Sequence, residues 1–238
     1  MKLSNNTILI TGGASGIGKG LTERFLKEGN KVIICGRRMD VLEDMAKQYP
    51  GLVIRQCDVE SAADREALYK WVSVEHPDVN VVINNAGVQN WMSVTDADFF
   101  TKAQQEITIN IEAPLHLISL FLGHPKLQVL MNTTSGLSFA PLSKVPVYSA
   151  TKAFFHSFTL SLRHQLQAKN IEVVEIIPPA LNTDLGGVGI HNTFPPVSEF
   201  IESIFEQLKE GKNELTFGTS VKRPGLEEIK QSFAQMNP

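Results

Sequence analysis

The stretch Thr11-Gly-Gly-Ala-Ser-Gly-Ile-Gly18 (TGGASGIG) admits two readings, and the fold turns on which is right. Read from Gly13, it approximates the phosphate loop of an ATP or GTP enzyme, ending in Gly18-Lys19. Read from Gly12, the glycines at 12, 16 and 18 form a loop for a dinucleotide. Both readings run a tight turn into a helix whose first backbone N–H groups face an anion. The ATP loop needs Ser or Thr directly after Gly-Lys, because a hydroxyl must reach Mg²⁺; here that position is Gly20. It also needs an acid closing a later strand. Asp58 follows the third apolar run, but the fourth and fifth end in Asn84 and Thr133. The dinucleotide loop asks less of the side chains. Its spacing here is Gly-x3-Gly-x-Gly rather than Gly-x-Gly-x2-Gly, yet glycines still allow the sharp turn and the close approach of a pyrophosphate. Hydride transfer is therefore preferred to phosphoryl transfer.

Outward from this loop, short β-branched runs alternate with helical periodicity. Strands are expected at residues 7–11, 31–35, 53–56, 81–84, 129–133, 172–177 and 215–217. Helices are expected at residues 17–28, 41–48, 62–72, 148–168 and 198–208, with one long helix at 96–122 that is irregular near Pro114. Alternation of this kind implies right-handed βαβ crossovers and an α/β fold: a doubly wound parallel sheet with helices on both faces. The strands are almost wholly apolar, as a sheet buried on both sides requires. Neither a repeat nor a linker breaks the pattern, so residues 1–238 read as one domain.

Composition fits. Apolar residues make up 42% of the 238, charged residues 20%, and the net charge is −3. These values support a substantial core and point away from nucleic acid or an anionic membrane as partner. The sequence shows neither a signal-peptide pattern nor an apolar run long enough to span a bilayer, which makes the cytoplasm the expected location. Cys35 and Cys57 end apolar runs and read as small buried hydrophobes. The histidines lack metal-ligand spacing, so no metal is expected.

The chain has three tyrosines, and Tyr148 alone has a lysine four residues on, Lys152. On a helix these two share a face. A phenol of pKa ~10 exchanges protons poorly at neutral pH. An ammonium about 4 Å away favours phenolate by up to ~4 kcal/mol at an effective dielectric of ~20. The pair is thus a candidate general acid/base. Ser135 lies just past the fifth strand, Asn110 inside the long helix, and Asn84-Asn85-Ala86-Gly87 at the end of the fourth strand. The strand-end residues fall at the edge where open α/β sheets bind ligands.

From TGGASGIG (11–18) through NNAG (84–87), Asn110, Ser135 and YSATK (148–152) to PPALNT (178–183), the sequence resembles the short-chain dehydrogenases/reductases. The resemblance implies a Rossmann-type fold, a nicotinamide cofactor and a Ser–Tyr–Lys–Asn site. Tyr148 would then give or take the substrate proton, and Ser135 would hydrogen-bond the substrate oxygen. Lys152 would lower the pKa of Tyr148 and hold the nicotinamide ribose, while Asn110 would hold a water linking Lys152 to solvent. The implied cofactor contacts come from Gly12, Ser15, Gly16, Ile17 and Gly18 in the first loop and from Arg37 and Arg38 after the second strand. Asp58 and Val59 after the third strand, Asn85, Ala86 and Gly87 after the fourth, and Pro178 and Thr183 after the sixth add to them, with Tyr148 and Lys152. The family usually has Pro-Gly where this chain has Pro178-Pro179, so that loop departs from the pattern. A narrower similarity, carried by residues 144–166 and 222–238, is to the DltE-type bacterial oxidoreductases, which are associated with teichoic acid D-alanylation genes.

The second strand is followed by Cys35-Gly36-Arg37-Arg38, with no acid before Asp40. A carboxylate there would bind the ribose of NAD, whereas arginine forks suit a 2′-phosphate. NADP is therefore expected, with NAD the alternative and Ser15 a point against. Trp91, Leu137, Phe139, Leu142, Val145, Leu185, Ile190 and Phe194 suit an apolar or aromatic carbonyl or alcohol substrate. Glycines 186, 187 and 189 point to a mobile lid within a substrate-loop region at about 185–210. His156 and His164 read as packing or solvent contacts at a subunit interface. The family implies a homodimer or homotetramer. A non-catalytic NADP sensor is the rival reading; an intact Ser–Tyr–Lys–Asn set argues against it.

Overall fold

The computed structural model describes residues 1–223 and 225–237. One all-parallel sheet of seven strands runs through it in the order β3-β2-β1-β4-β5-β6-β7. The strands are β1 (Thr7–Thr11), β2 (Lys31–Gly36), β3 (Val53–Gln56), β4 (Val81–Asn84), β5 (Val129–Thr133), β6 (Glu172–Ile177) and β7 (Glu214–Thr216). The chain winds outward from β1 through β2 to β3. It then returns to lay β4 on the other side of β1, in the register Ile8↔Val81 to Ile10↔Ile83. The strand order reverses between β1 and β4, so the carboxyl ends of those strands flank a crevice.

Alternation along each strand divides the core in two. Ile8 and Ile10 of β1, with Val32 and Ile34 of β2, face one layer. That layer is built on α1 (Gly16–Lys27) and α7 (Val197–Lys209), where the rings of Phe25 and Phe205 lie 4.8 Å apart. Truncating either ring to Ala would cost about 3–5 kcal/mol. Leu9, Ile33, Val82 and Leu130 face the other layer, against Leu68, Leu117, Phe121 and Phe155. These lie on α3 (Ala62–Glu75), α5 (Ala113–Phe121) and α6 (Pro146–Leu166). Among the described residues no helix is long and apolar enough to cross a membrane.

Two elements differ from expectation. The helix expected at 96–122 is three pieces: α4 (Phe99–Ile107), a π-helical turn at Thr108–Glu112, and α5. The irregularity therefore lies before Pro114, and the reason is local. Proline has no N–H, and its ring crowds the carbonyl four residues back, which is that of Asn110. The helix widens where that bond is lost. The second difference is α8 (Leu226–Met236), which the sequence analysis did not assign. It also follows α2 (Met39–Gln48), and the rest of the chain, as a terminal element outside the βαβ alternation.

Candidate active site

The glycine loop follows β1 and opens α1. Gly12 and Gly16 hold φ of 65° and 50°, a region that favours glycine. A Cβ on Gly18 would overlap the Gly12 carbonyl oxygen, and one on Gly13 would overlap Ile34. Ser15 stands at the N-cap in extended conformation and makes no side-chain cap. Helix α1 carries no acid in its first turn. Its leading N–H groups thus suit an anion from outside the chain, beside a backbone that glycine alone leaves bare. Ile17, which is partly buried, and Gly18 continue the turn. The end of β4 braces this loop. The amides of Asn85 and Ala86 both donate to Thr11 Oγ1 at 3.0 Å, and Asn85 Nδ2 donates to the Thr11 carbonyl at 3.1 Å.

Further along the same edge, Arg37 and Arg38 are exposed after β2, and among the described residues neither side chain forms an ion pair. The Arg37 carbonyl accepts from Gln56 Nε2 at 2.9 Å, which orients the turn. Asp58 is partly engaged already: its Oδ1 accepts from the Glu60 amide at 3.0 Å. Val59 is buried behind it. On the far side of the crevice, Thr183 reaches back to Gly16, where a Cβ would meet its methyl at 3.4 Å. The Pro178 carbonyl accepts from the Gly136 amide at 2.9 Å, which ties the loop after β6 to the loop after β5.

Tyr148, Lys152, Ser135 and Asn110 converge at the carboxyl end of β5. All four are buried. Tyr148 and Lys152 lie one turn apart on α6, with the Lys152 ammonium 5.6 Å from the Tyr148 ring centroid. Lys152 Nζ donates to the Thr133 carbonyl at 2.8 Å. Ser135 Oγ accepts from the Leu137 amide at 3.1 Å, which leaves the serine's own proton free to donate. Asn110 Oδ1 accepts from the Val88 amide at 2.9 Å, and its Nδ2 donates to the Val88 carbonyl and to Thr151 Oγ1. A Cβ on Gly87 would stand 3.2 Å from Asn110 Oδ1 and 3.6 Å from Lys152 Nζ. Glycine there lets the backbone pass between them.

Burial dominates the electrostatics. It pushes the Tyr148 phenol well above its ordinary value, against the lowering effect of its hydrogen bond with Ser135; the charge of Glu106 adds to the rise. Burial also brings the Lys152 ammonium down to about 8. The acidifying effect expected of Lys152 on Tyr148 does not appear here: the lowering influence comes from Ser135, and burial exceeds it.

The sequence analysis missed Glu106. This side chain is fully buried on α4, and one oxygen accepts from the Asn90 amide. Burial pushes its carboxyl up to about 7 despite hydrogen bonds from Asn90. Its place four residues before Asn110 was a readable signal, since positions four apart share a helical face. His156 is not at a surface: it is buried and bonded to Glu175 of β6. His164 packs its ring on Phe233 of α8. Of the apolar candidates, Val145 is fully buried and belongs to the core, whereas Trp91, Leu142, Ile190 and Phe194 are exposed. The region at about 185–210 divides: residues 185–196 form the loop, and α7 is a core helix. Gly186 packs close to Gln89 and Trp91, so the two loops meet beside the site. No group of three or more His, Cys, Asp or Glu among the described residues could hold a metal.

Residues 6–189 match the family model described as short chain dehydrogenase. The chain belongs to that family. It is an oxidoreductase of the short-chain dehydrogenase type, with the Rossmann-type sheet of its relatives. It is 43% identical over 230 residues to an uncharacterised oxidoreductase, DltE, of Bacillus subtilis (strain 168), covering 91% of this chain and 89% of that one. It is 29% identical to the NADP-dependent 3-hydroxy acid dehydrogenase YdfG of Shigella flexneri, over 72% of this chain and 71% of that one. Among solved structures, a short-chain dehydrogenase from Sphingobium yanoikuyae in complex with NADPH superposes with a TM-score of 0.83 at 24% identity, covering 97% of this chain and 94% of that one.

Proposed function

We propose that this short-chain dehydrogenase moves a hydride between NADP(H) and an apolar or aromatic carbonyl or alcohol compound, with Tyr148 as the acid/base. The observation that carries the reading is the convergence of Ser135, Tyr148, Lys152 and Asn110 beside a glycine cradle at one sheet edge. The bound nicotinamide supplies or accepts the hydride. Gly12, Gly16 and Gly18 admit its pyrophosphate to the N-terminus of α1, and Thr183 closes the cradle from the other side. Arg37 and Arg38, without ion-pair partners among the described residues, suit the 2′-phosphate of NADP. The name of the Shigella relative and the ligand of the Sphingobium structure support the same choice.

The remaining roles belong to the chain's own groups. Ser135, already accepting from Leu137, donates its proton to the carbonyl oxygen and stabilises the charge that develops there. Tyr148 keeps its proton at neutral pH because burial holds its pKa high. That is the form that protonates an alkoxide when a carbonyl is reduced, and the phenolate takes the proton back when an alcohol is oxidised. Lys152, held by the Thr133 carbonyl, presents its ammonium to this proton path and to the cofactor ribose. Asn110 fixes Val88 with its side chain, and Pro114 denies its carbonyl the ordinary helical donor. That carbonyl then supports a water link from Lys152 to solvent.

The buried free cysteines fit a cytoplasmic location. Exposed Phe100 and Ile107 on α4 and Phe154 on α6 fit a homo-oligomer joined through those helices. The deciding experiment is a panel of apolar and aromatic aldehydes, ketones and alcohols, followed by nicotinamide absorbance with NADPH and NADH. Turnover with NADPH is expected, reduced by about 10²–10⁴-fold in Tyr148→Phe while cofactor binding survives. A strong preference for NADH would overturn the cofactor assignment. Tight NADPH binding with no turnover of any compound would make the chain a sensor instead.

A further inference from the structure

Glu175 lies on β6 with its side chain wholly buried. It accepts hydrogen bonds from two directions. Thr134 Oγ1 donates to Oε1 at 2.7 Å. His156 Nδ1 lies 2.9 Å from Oε1 and 3.1 Å from Oε2. Thr134 immediately precedes Ser135, while His156 follows Lys152 by four residues and Tyr148 by eight, on the same face of α6. One carboxyl group is therefore tied to both elements of the proposed site: the end of β5, which carries the serine, and the helix that carries the tyrosine and the lysine.

Apart from bonds within its own turn, the backbone hydrogen bonds of the Ser135 segment lead to β6 and the loop that follows it. The Thr134 amide donates to the Ile176 carbonyl at 2.8 Å, and the Gly136 amide donates to the Pro178 carbonyl at 2.9 Å. Phe139, at the end of the same turn, sets its ring edge-on to that of His156 at 4.5 Å. The guanidinium of Arg223 also lies over the Phe139 ring, 5.9 Å from its centroid. His156 thus touches the serine segment directly through Phe139 and indirectly through Glu175 and Thr134.

Burying a carboxyl and an imidazole between a sheet and a helix is an expensive way to hold them together. A well-packed apolar pair of the same volume is usually as stable or more so. His156 Nε2 makes the cost plainer, for it is buried with no hydrogen-bond partner among the described residues. A hydrogen-bonded pair offers what an apolar contact does not: fixed direction and a fixed spacing between the two elements. The chemistry proposed above needs both, because a serine hydroxyl and a phenol must reach the same oxygen atom, and displacement by about 1 Å can cost on the order of a hundredfold in rate.

We propose that Glu175 and His156 are positioning residues, a bridge that sets the Ser135 hydroxyl against Tyr148. The inference rests on the proposed reduction and deepens it. Its test uses the full chain in three forms: wild type, Glu175→Gln, and the double variant Glu175→Met with His156→Leu. The glutamine keeps an acceptor for Thr134 and is expected to retain kcat within about threefold. The apolar pair is expected to fold with an unchanged or raised Tm and to bind NADPH within about twofold of wild type. Its kcat for the best aldehyde or ketone of the panel should fall by about tenfold or more, with a smaller change in KM. Hydrogen exchange at the amides of residues 136–139 should quicken by about tenfold in the same variant. An apolar pair that folds with wild-type kcat and wild-type exchange overturns the bridge. One that fails to fold overturns it too, since the pair would then hold the fold rather than the geometry. If wild type turns over nothing in the panel, the proposed reduction fails, and the exchange rates still decide whether the bridge exists.

Discussion

Two buried ionisable side chains set the pH behaviour of the site. Lys152 is held at about 8, below its ordinary 10.5, by loss of hydration. Its charge therefore costs on the order of 3 kcal/mol of folding stability at pH 7. The cost is fully present below pH 8 and fades as pH rises towards 10.5, because the unfolded chain there binds more protons than the folded one. Lys152→Met should accordingly raise Tm at pH 7, less the loss of the bond to Thr133, while abolishing turnover. A thermal melt at pH 7 that is lower for the variant than for wild type would refute this. Glu106 shows the opposite sign. Its carboxyl is raised from 4.5 to about 7, so the folded chain binds more protons between those values. Stability falls as pH rises through this window and is lowest above it. Glu106→Gln should remove most of that slope, a difference on the order of 3 kcal/mol between pH 4.5 and pH 8, read from urea unfolding at the two pH values. A slope equal to that of wild type would assign the window to other groups. Tyr148 and Lys152 were legible in the sequence because helical spacing alone puts them together. Glu175 was not: its partners lie 19 residues away at His156 and 41 away at Thr134, and only the β5–β6 pairing and the packing of α6 on β6 bring them near.

At the scale of elements, the strands are legible because most are short β-branched runs buried on both faces; the edge strands β3 and β7 are less buried. The helix through Asn110 is irregular near Pro114, as its sequence predicts, but the irregularity divides it into α4 and α5 because the break caused at Pro114 is expressed in the turn before it. Helix α8 carries apolar residues at Leu226, Ile229 and Phe233, a short stripe of which Leu226 alone is buried, too weak a periodicity to mark the helix in the sequence. The glycine loop was legible as a dinucleotide turn, but which glycines are required became visible only in three dimensions. Gly18 is the strictest, since any Cβ there meets the backbone of Gly12. Gly18→Ala should displace the loop at a cost of about 1–3 kcal/mol and weaken NADPH binding by about tenfold. Gly36→Ala is the control, with nothing within 4 Å of the added carbon and no positive φ. Nicotinamide fluorescence titration separates them. Equal affinities in the two variants would mean that the turn tolerates the methyl and that the cradle is looser than its geometry implies.

For the whole molecule, the two layers of helices are unequal in what they leave to solvent. The layer of α1 and α7 buries its large apolar side chains within the chain. The layer of α4, the π-helical turn, α5 and α6 does not. Phe100 is 69% exposed, Phe154 44% and Ile107 40%. Lone exposed apolar residues need no explanation, but three large ones on neighbouring helices mark a surface that water solvates poorly. Helices α4 and α6 pack directly on each other and carry the site on their inner faces: Glu106 on α4, Tyr148 and Lys152 on α6. A second copy seated on their outer faces would stiffen the elements that hold the acid/base pair. Phe154→Glu tests this arrangement, because a carboxylate in a dry interface is far costlier than one in water. Light scattering should give a mass that is a multiple of the chain for wild type and a lower one for the variant at the same concentration. The variant should also lose turnover on dilution while wild type keeps it. A wild-type mass equal to one chain would leave that apolar surface to some other partner and remove the oligomer from the account of catalysis.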